Sequence, residues 1–398
     1  MNSLSFLIQP YSIEKFFTEN WTKKALLIPA NTPNKLQHLF SWQHLNNLLN
    51  FHQLQSPDLR FSLDGKTLSN TKSDQWQNYL QQGATLILNG IHQRVPELAT
   101  LAATIRQETG HRTQINLYCS PAEQKGFDCH YDTHEVLILQ IDGQKEWFIF
   151  PETIPYPISG MRPSDHIPPD IIYLQCTLKP GDVLYIPRGH WHYAISCNNP
   201  QNENYSPSLH LTLGIDCQTG LDWLEWVLKK LQKTPEWRQN LPLVYDKNLP
   251  LLKQHIETLR DSLINTLQDP EFIQSYINHL TYSDLPPLPF SFPYQLGSKI
   301  FEQGLETRFI SSALHPVKIT KINETQTQVI VGEKQATLKG ISSDLVEKLF
   351  RSEGFTLLDL AEWAPLLDIE TAVIPLLTNL VTQGILFVEA LPNTSEGN

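Results

Sequence analysis

A chain of 398 residues is too long for one ordinary hydrophobic core and predicts two or three domains. A hydrophobic content of 40% against 18% charged residues excludes a disordered chain. The net charge of −11 argues against non-specific binding to nucleic acid, whose phosphates repel an acidic surface, and suits a basic partner.

The N-terminus, MNSLSFLIQPYSIEKFF, lacks the basic start, long apolar run and small-residue cleavage site of a secretory leader. No apolar stretch is long enough to span a bilayer, so a cytoplasmic protein without membrane contact is expected. Cys119, Cys129, Cys176, Cys197 and Cys217 are odd in number and form no CxxC pair, and are read as free thiols. The segment SIEKFFTENWTKKALLI reads as helical, with Ser12 as a cap and Phe16, Phe17 and Trp21 at near-helical spacing. Further helices are expected around SWQHLNNLLNF and around VPELATLAATIRQETG, where Gly110 is a stop signal.

From about Thr113 to Asp216 the pattern changes. INLYCS, EVLILQI, KEWFIFP, IIYLQCTL, DVLYIP and SLHLTLGID are short β-branched and aromatic runs punctuated by Gly, Pro, Asp and Asn. They predict a sandwich or barrel, with GATLILNG as a further strand. Beyond Asp216, LDWLEWVLKKLQKT and NLPLLKQHIETLRDSLINTLQD read as amphipathic helices. Their apolar positions include Trp223, Trp226, Leu228, Leu231 and Trp237, more than a thin helical linker buries alone. The Pro-rich DLPPLPFSFPY is a linker candidate. From about Phe301, strands (PVKITKI, TQVIVG), three helical runs and a closing ILFVEA suggest a winged-helix-like module.

The chemistry is concentrated in two segments. In an extended chain His130 and Asp132 point the same way, so an imidazole and a carboxylate converge. In KPGDVLYIPRGHWH a turn, a strand and a second turn deliver His192 to the same point. Two histidines and one carboxylate are the facial triad of non-haem Fe(II) oxygenases, with positions left open for co-substrate and O2. His134 and His190 share the faces of these residues and are rival ligands. His210 and His111 are read as packing or hydrogen-bonding residues.

HYDTHEVLILQIDGQKEWFIF followed by GDVLYIPRGHWHYA resembles the JmjC-type, cupin-like oxygenases, and more narrowly the ribosomal oxygenases and their bacterial relatives. FFTENWTKKALLI, LILNGIHQRVPELATLA, NLYCSPAEQKGFDCHYD and SLHLTLGI carry the same resemblance. It implies an α+β chain with a double-stranded β-helix barrel and flanking helices over 1–216, a helical dimerisation domain over 217–300 and a winged-helix domain over 301–398. It further implies Fe(II) held by His130, Asp132 and His192, with 2-oxoglutarate and O2 as co-substrates. Lys145 would pair with the distal carboxylate of 2-oxoglutarate, because a buried carboxylate needs a cation. Asn116, Tyr118 and Ser208 sit where relatives place polar groups near the co-substrate.

The activity implied is hydroxylation of an Arg or His side chain in a ribosomal protein by a homodimeric enzyme. The rival readings are a cupin oxygenase of a small metabolite or biosynthetic peptide, a non-enzymatic cupin binding module, and a winged-helix DNA regulator. Residues 301–398 hold seven basic and thirteen acidic residues, the reverse of what phosphate contact needs, so no direct DNA binding is expected.

Overall fold

Period-two alternation sets the architecture of the first half. In the computed structural model, which describes residues 3–68, 75–162, 168, 170–197, 207–244 and 249–389, the chain divides into two units, Met1–Tyr276 and Ile277–Asn398. The first unit opens with α1 (Leu4–Ile8), α2 (Ile13–Glu19), β1 (Leu26–Ile28), α3 (Trp42–Phe51), β2 (Leu59–Leu63), β3 (Lys66–Thr67), α4 (Trp76–Gln81), β4 (Thr85–Leu88) and α5 (Pro96–Thr109). Ser12 caps α2 by accepting from the Lys15 N–H, and Gly110 closes α5 in the left-handed conformation. The helix expected to run on through Trp21 stops at Glu19, since Thr22 takes φ 59° and turns the chain into β1.

The strands that follow are β5 (Arg112–Ser120), β6 (Glu135–Asp142), β7 (Gln144–Glu152), β8 (Leu174–Leu178), β9 (Val183–Ile186), β10 (His190–Cys197) and β11 (Ser208–Asp216). They form two facing sheets, an eight-stranded one in the order β1-β9-β6-β11-β5-β4-β2-β3 and a three-stranded one in the order β10-β7-β8. Alternation then divides the large sheet. Ile115, Leu117, Leu137, Leu139, Leu209, Leu211 and Leu213 face outward and are buried with Phe16, Leu36, Phe40, Leu98 and Leu101 from the preceding helices and loops. The opposite face, with Val136, Ile138 and Leu184, meets Trp147, Ile149 and Ala194 of the small sheet. Gly181, at φ 92° in the turn before β9, admits no Cβ, which would lie 2.7 Å from the Thr32 carbonyl oxygen.

After β11 the chain enters α6 (Gly220–Leu231) with no room for a linker, and Thr219 and Asp222 close a capping box at its start. α7 (Leu249–Gln268) and α8 (Pro270–Tyr282) follow. Trp226, Val227 and Leu231 are buried against Trp223, Trp237, Leu263, Leu267, Phe272 and Tyr276. The tryptophans read from sequence as surface apolar groups are therefore drawn into contacts within the chain.

The second unit comprises β12 (Arg308–Ile310), β13 (Val317–Asn323), β14 (Gln326–Val331), β15 (Lys334–Lys339), α9 (Ser343–Arg351), β16 (Phe355–Thr356), α10 (Leu357–Trp363), α11 (Ile374–Thr382) and β17 (Phe387–Val388). Its sheets are β16-β12-β17 and the meander β13-β14-β15, and Phe309, Phe355, Leu349 and Leu377 lie in its core. The expected divisions at 216 and 300 differ from the observed one between 276 and 277. The Pro-rich stretch belongs to the second unit: His315 Nε2 donates to the Pro286 carbonyl at 2.7 Å and Leu288 packs on that core. Residues 390–398, the end of the expected third domain, lie outside the described residues.

Candidate metal centre and its cavity

His130 and Asp132 lie in the irregular segment ahead of β6, not on a strand, while His192 sits on β10 rather than in a turn. Two backbone hydrogen bonds join them: His130 N–H donates to the His192 carbonyl at 3.1 Å, and His192 N–H donates back at 2.7 Å. The ligand-type atoms of His130, Asp132 and His192 all fall within 4.8 Å of one another. His130 Nδ1 donates to the Asp128 carbonyl at 2.7 Å and His192 Nδ1 to the His190 carbonyl at 3.0 Å. Both rings are thereby held in the tautomer that leaves an Nε2 lone pair free, and His192 Nε2 lies 3.5 Å from Asp132 Oδ2.

Burial, helped by His130, pushes His192 down to about 4. Burial acts to raise Asp132, but His134, His130 and His192 outweigh it and hold the carboxyl below its usual range. Two imidazoles and a carboxylate on one side of a common point are the donor set that suits Fe(II) with open positions. The rival ligands fall outside this cluster. His190 is spent on both nitrogens, Nδ1 receiving from Tyr173 Oη at 2.6 Å and Nε2 facing Glu152 at 3.1 Å, with Ala25 N–H donating to the same tyrosine at 2.9 Å. Its carbonyl is what orients His192. His134 Nδ1 lies 3.4 Å from the Glu135 carbonyl oxygen, and its ring is not part of the three-residue cluster.

The three residues line a cavity of about 70 Å³ together with Lys145, Trp147, Tyr118, His210 and Thr212. Lys145 is only 3% exposed and its Nζ donates to Ser120 Oγ at 3.0 Å. Burial pushes its ammonium down to about 8, and among the described residues no carboxylate offsets that. Trp147 Nε1 and His210 Nδ1 are also buried without a hydrogen-bond partner among the described residues. A buried cation and unmatched polar atoms suit a ligand rich in acceptors, such as a dicarboxylate.

Tyr118 stacks on His210 at 5.0 Å, and burial, with Asp132 adding, pushes its phenol up to about 12. Asn116 lies off this cavity, its Oδ1 accepting from the Gly90 N–H at 2.9 Å. Ser208 is likewise not at the cavity: Gln140 Nε2 donates to its hydroxyl at 2.9 Å, beyond the row that Tyr118 shares with His210. The serine that meets Lys145 is Ser120, two positions after Tyr118 on the same strand face, a position the alternation of NLYCS marks.

A second, wider groove of about 660 Å³ meets the first at Tyr118 and Asp132, and its lining is predominantly polar, with Arg60, Arg94, Asp58 and Asn116. All five cysteines are free and only Cys119 is buried. Among the described residues no helix is long and apolar enough to cross a membrane.

Residues 91–221 match the family model of the JmjC domain. Ribosomal oxygenase 2 of Rattus norvegicus is 32% identical over 220 residues, 52% of this chain and 46% of that protein. The bifunctional lysine-specific demethylase and histidyl-hydroxylase NO66 of Drosophila willistoni is 26% identical over 353 residues, 84% of this chain and 43% of that protein. The chain thus spans less than half the length of these curated relatives. Among solved structures, the Escherichia coli ribosomal oxygenase YcfD in complex with cobalt and 2-oxoglutarate superposes with a TM-score of 0.59 at 17% identity, covering 96% of this chain and 99% of that one. The match to the JmjC-domain model lies within the first unit, and the chain shares the fold of that ribosomal oxygenase.

Proposed function

We propose that this chain is a 2-oxoglutarate- and Fe(II)-dependent oxygenase that hydroxylates an Arg or His side chain of a ribosomal protein. The observation that carries the reading is the His130, Asp132 and His192 cluster facing the same narrow cavity as the buried, carboxylate-free Lys145. Bound Fe(II) supplies the redox chemistry by which O2 is divided, one atom entering a substrate C–H bond and the other the succinate formed, with CO2, from 2-oxoglutarate. The chain's own residues do the rest. Lys145 holds the distal carboxylate, and Trp147, Val136 and Ile138 wall the cavity against bulk water. The wide polar groove meeting the cavity at Asp132 fits a peptide better than a small apolar metabolite.

In the same reading the helices of 217–300 build a homodimer, supported by the stripe Leu221, Leu224 and Leu228 on α6, each more than half exposed. The second unit, three helices with two small sheets, acts as a winged-helix-like module for packing or protein contact, its acidity disfavouring DNA. The protein works in the cytoplasm, where the ribosomal substrate is. Two measurements test the reading: iron-dependent conversion of 2-oxoglutarate to succinate by the purified protein, and mass spectrometry of ribosomal proteins from cells with and without it. A peptide heavier by one oxygen atom only in cells that hold the protein is expected. Absence of both signals refutes the proposal.

A further inference from the structure

Charge in the polar groove is balanced everywhere except at its inner end. Arg94 is paired with Asp58. Arg112 stands opposite Asp216 in the β5–β11 register. Burial lowers His92, which accepts from the Ile115 N–H, and so keeps it neutral near pH 7. His134 adds no negative charge, and Asp132 is committed to the metal cluster.

Arg60 remains. Among the described residues no carboxylate lies within ion-pair distance of it, and its Nε is buried without an acceptor. Its guanidinium lies 5.9 Å from the Phe127 ring centroid. The register sets Arg60, Ile87, Tyr118 and His210 in one row across β2, β4, β5 and β11. Tyr118 and Phe127 line the metal cavity, and Arg60 lines the groove, so this cation stands where one opens into the other.

We propose that Arg60 selects the target residue by charge, admitting an uncharged hydrogen-bonding side chain, an imidazole or a carboxamide, and turning away guanidinium and ammonium groups. The inference rests on the oxygenase reading and narrows it. A second cation placed beside Arg60 in a partly desolvated groove is disfavoured by about a hundredfold. A neutral acceptor instead meets a guanidinium that has donors to spare.

The test uses the full chain and synthetic peptide pools with random flanks and a fixed centre of His, Gln, Arg or Lys. Binding is ranked on protein loaded with Co(II) and 2-oxoglutarate, and hydroxylation on protein loaded with Fe(II). The wild type is expected to favour the His or Gln pool over Arg and Lys by about a hundredfold, and Arg60→Glu to reverse that order. Arg60→Gln, which keeps size and hydrogen bonding, should flatten it. A wild type that takes Arg or Lys as readily as His, or an Arg60→Glu variant that keeps the wild-type order, overturns the proposal. Succinate release measured in the same samples separates the two readings. Its absence sinks the oxygenase, while the binding order still judges Arg60.

Discussion

Replacing Lys145 with Met removes the only Lys or Arg among the described residues lining the metal cavity and nearly preserves side-chain volume. Two effects of opposite sign follow. In the ligand-free protein the buried ammonium is a cost, since its pKa falls from 10.5 to about 8. Between those values the folded chain binds fewer protons than the unfolded one, so stability rises with pH across that window. The penalty is fully present below about pH 8, and at ~1.4 kcal/mol per unit it amounts to roughly 3 kcal/mol. Lys145→Met should therefore raise the Tm of the metal-free protein at pH 7.

Binding moves the other way. A buried carboxylate that loses its counter-charge costs about 3–5 kcal/mol, a weakening of 2-oxoglutarate affinity between about a hundredfold and a few thousandfold. In the wild type that affinity should be flat below about pH 8 and fall above it, as free Lys145 loses the proton that binding requires. Calorimetric titration of 2-oxoglutarate into Co(II)-loaded protein reads the affinity without turnover, and scanning fluorimetry reads the stability. A variant that binds 2-oxoglutarate normally and is no more stable than wild type would show that Lys145 is not the anchor.

Asp132→Ala should abolish 2-oxoglutarate turnover and leave the circular dichroism spectrum unchanged, whereas wild-type turnover would place the metal elsewhere. Tyr173→Phe strips the Ala25 N–H and His190 Nδ1 of their shared partner, for a loss of about 1–3 kcal/mol in urea unfolding. Because the His190 carbonyl orients His192, the same change should weaken Co(II) binding about 10–100-fold, and an unchanged affinity refutes the link. Leu224→Glu with Leu228→Glu should convert a dimer to a monomer in light scattering. A wild-type mass at the 45.6 kDa of one chain would sink the dimer itself.

Elements with a strong period were legible in the sequence, and the misses have local causes. LHLTLGI became β11, buried on both faces. β2 and β3 went unread because LRFSL is short and interrupted by charge, and only pairing with β4 makes it a strand. β10 was read as a turn because RGHWHY carries Gly and His where a strand usually carries branched residues. Its pairing with β7, with a register shift between His190 and His192, overrides that preference. Trp223, Trp226 and Trp237 read as an exposed apolar face because the sequence does not show that α8 returns Phe272 and Tyr276 onto them.

The site itself shows why spacing told so much and still left Ser208 and Ser120 confused. Metal ligands recur as a motif because two of the three lie in one segment and the third closes a single bridge, His130 to His192. Lys145, the proposed anion anchor, comes from β7, and its hydroxyl partner Ser120 from β5, on the facing sheet. That contact depends on how two sheets face each other, which no local pattern encodes. The groove wall comes from β2, farther still along the large sheet. The residues that the proposed reading assigns to metal, co-substrate and substrate thus come from different segments of the chain, and on that reading a change at Arg60 alters what enters the groove without touching a ligand. If Arg60 acts as proposed, substrate preference is set apart from the three metal-binding residues, and a substitution at Arg60 changes which peptide binds while Co(II) affinity stays as it was.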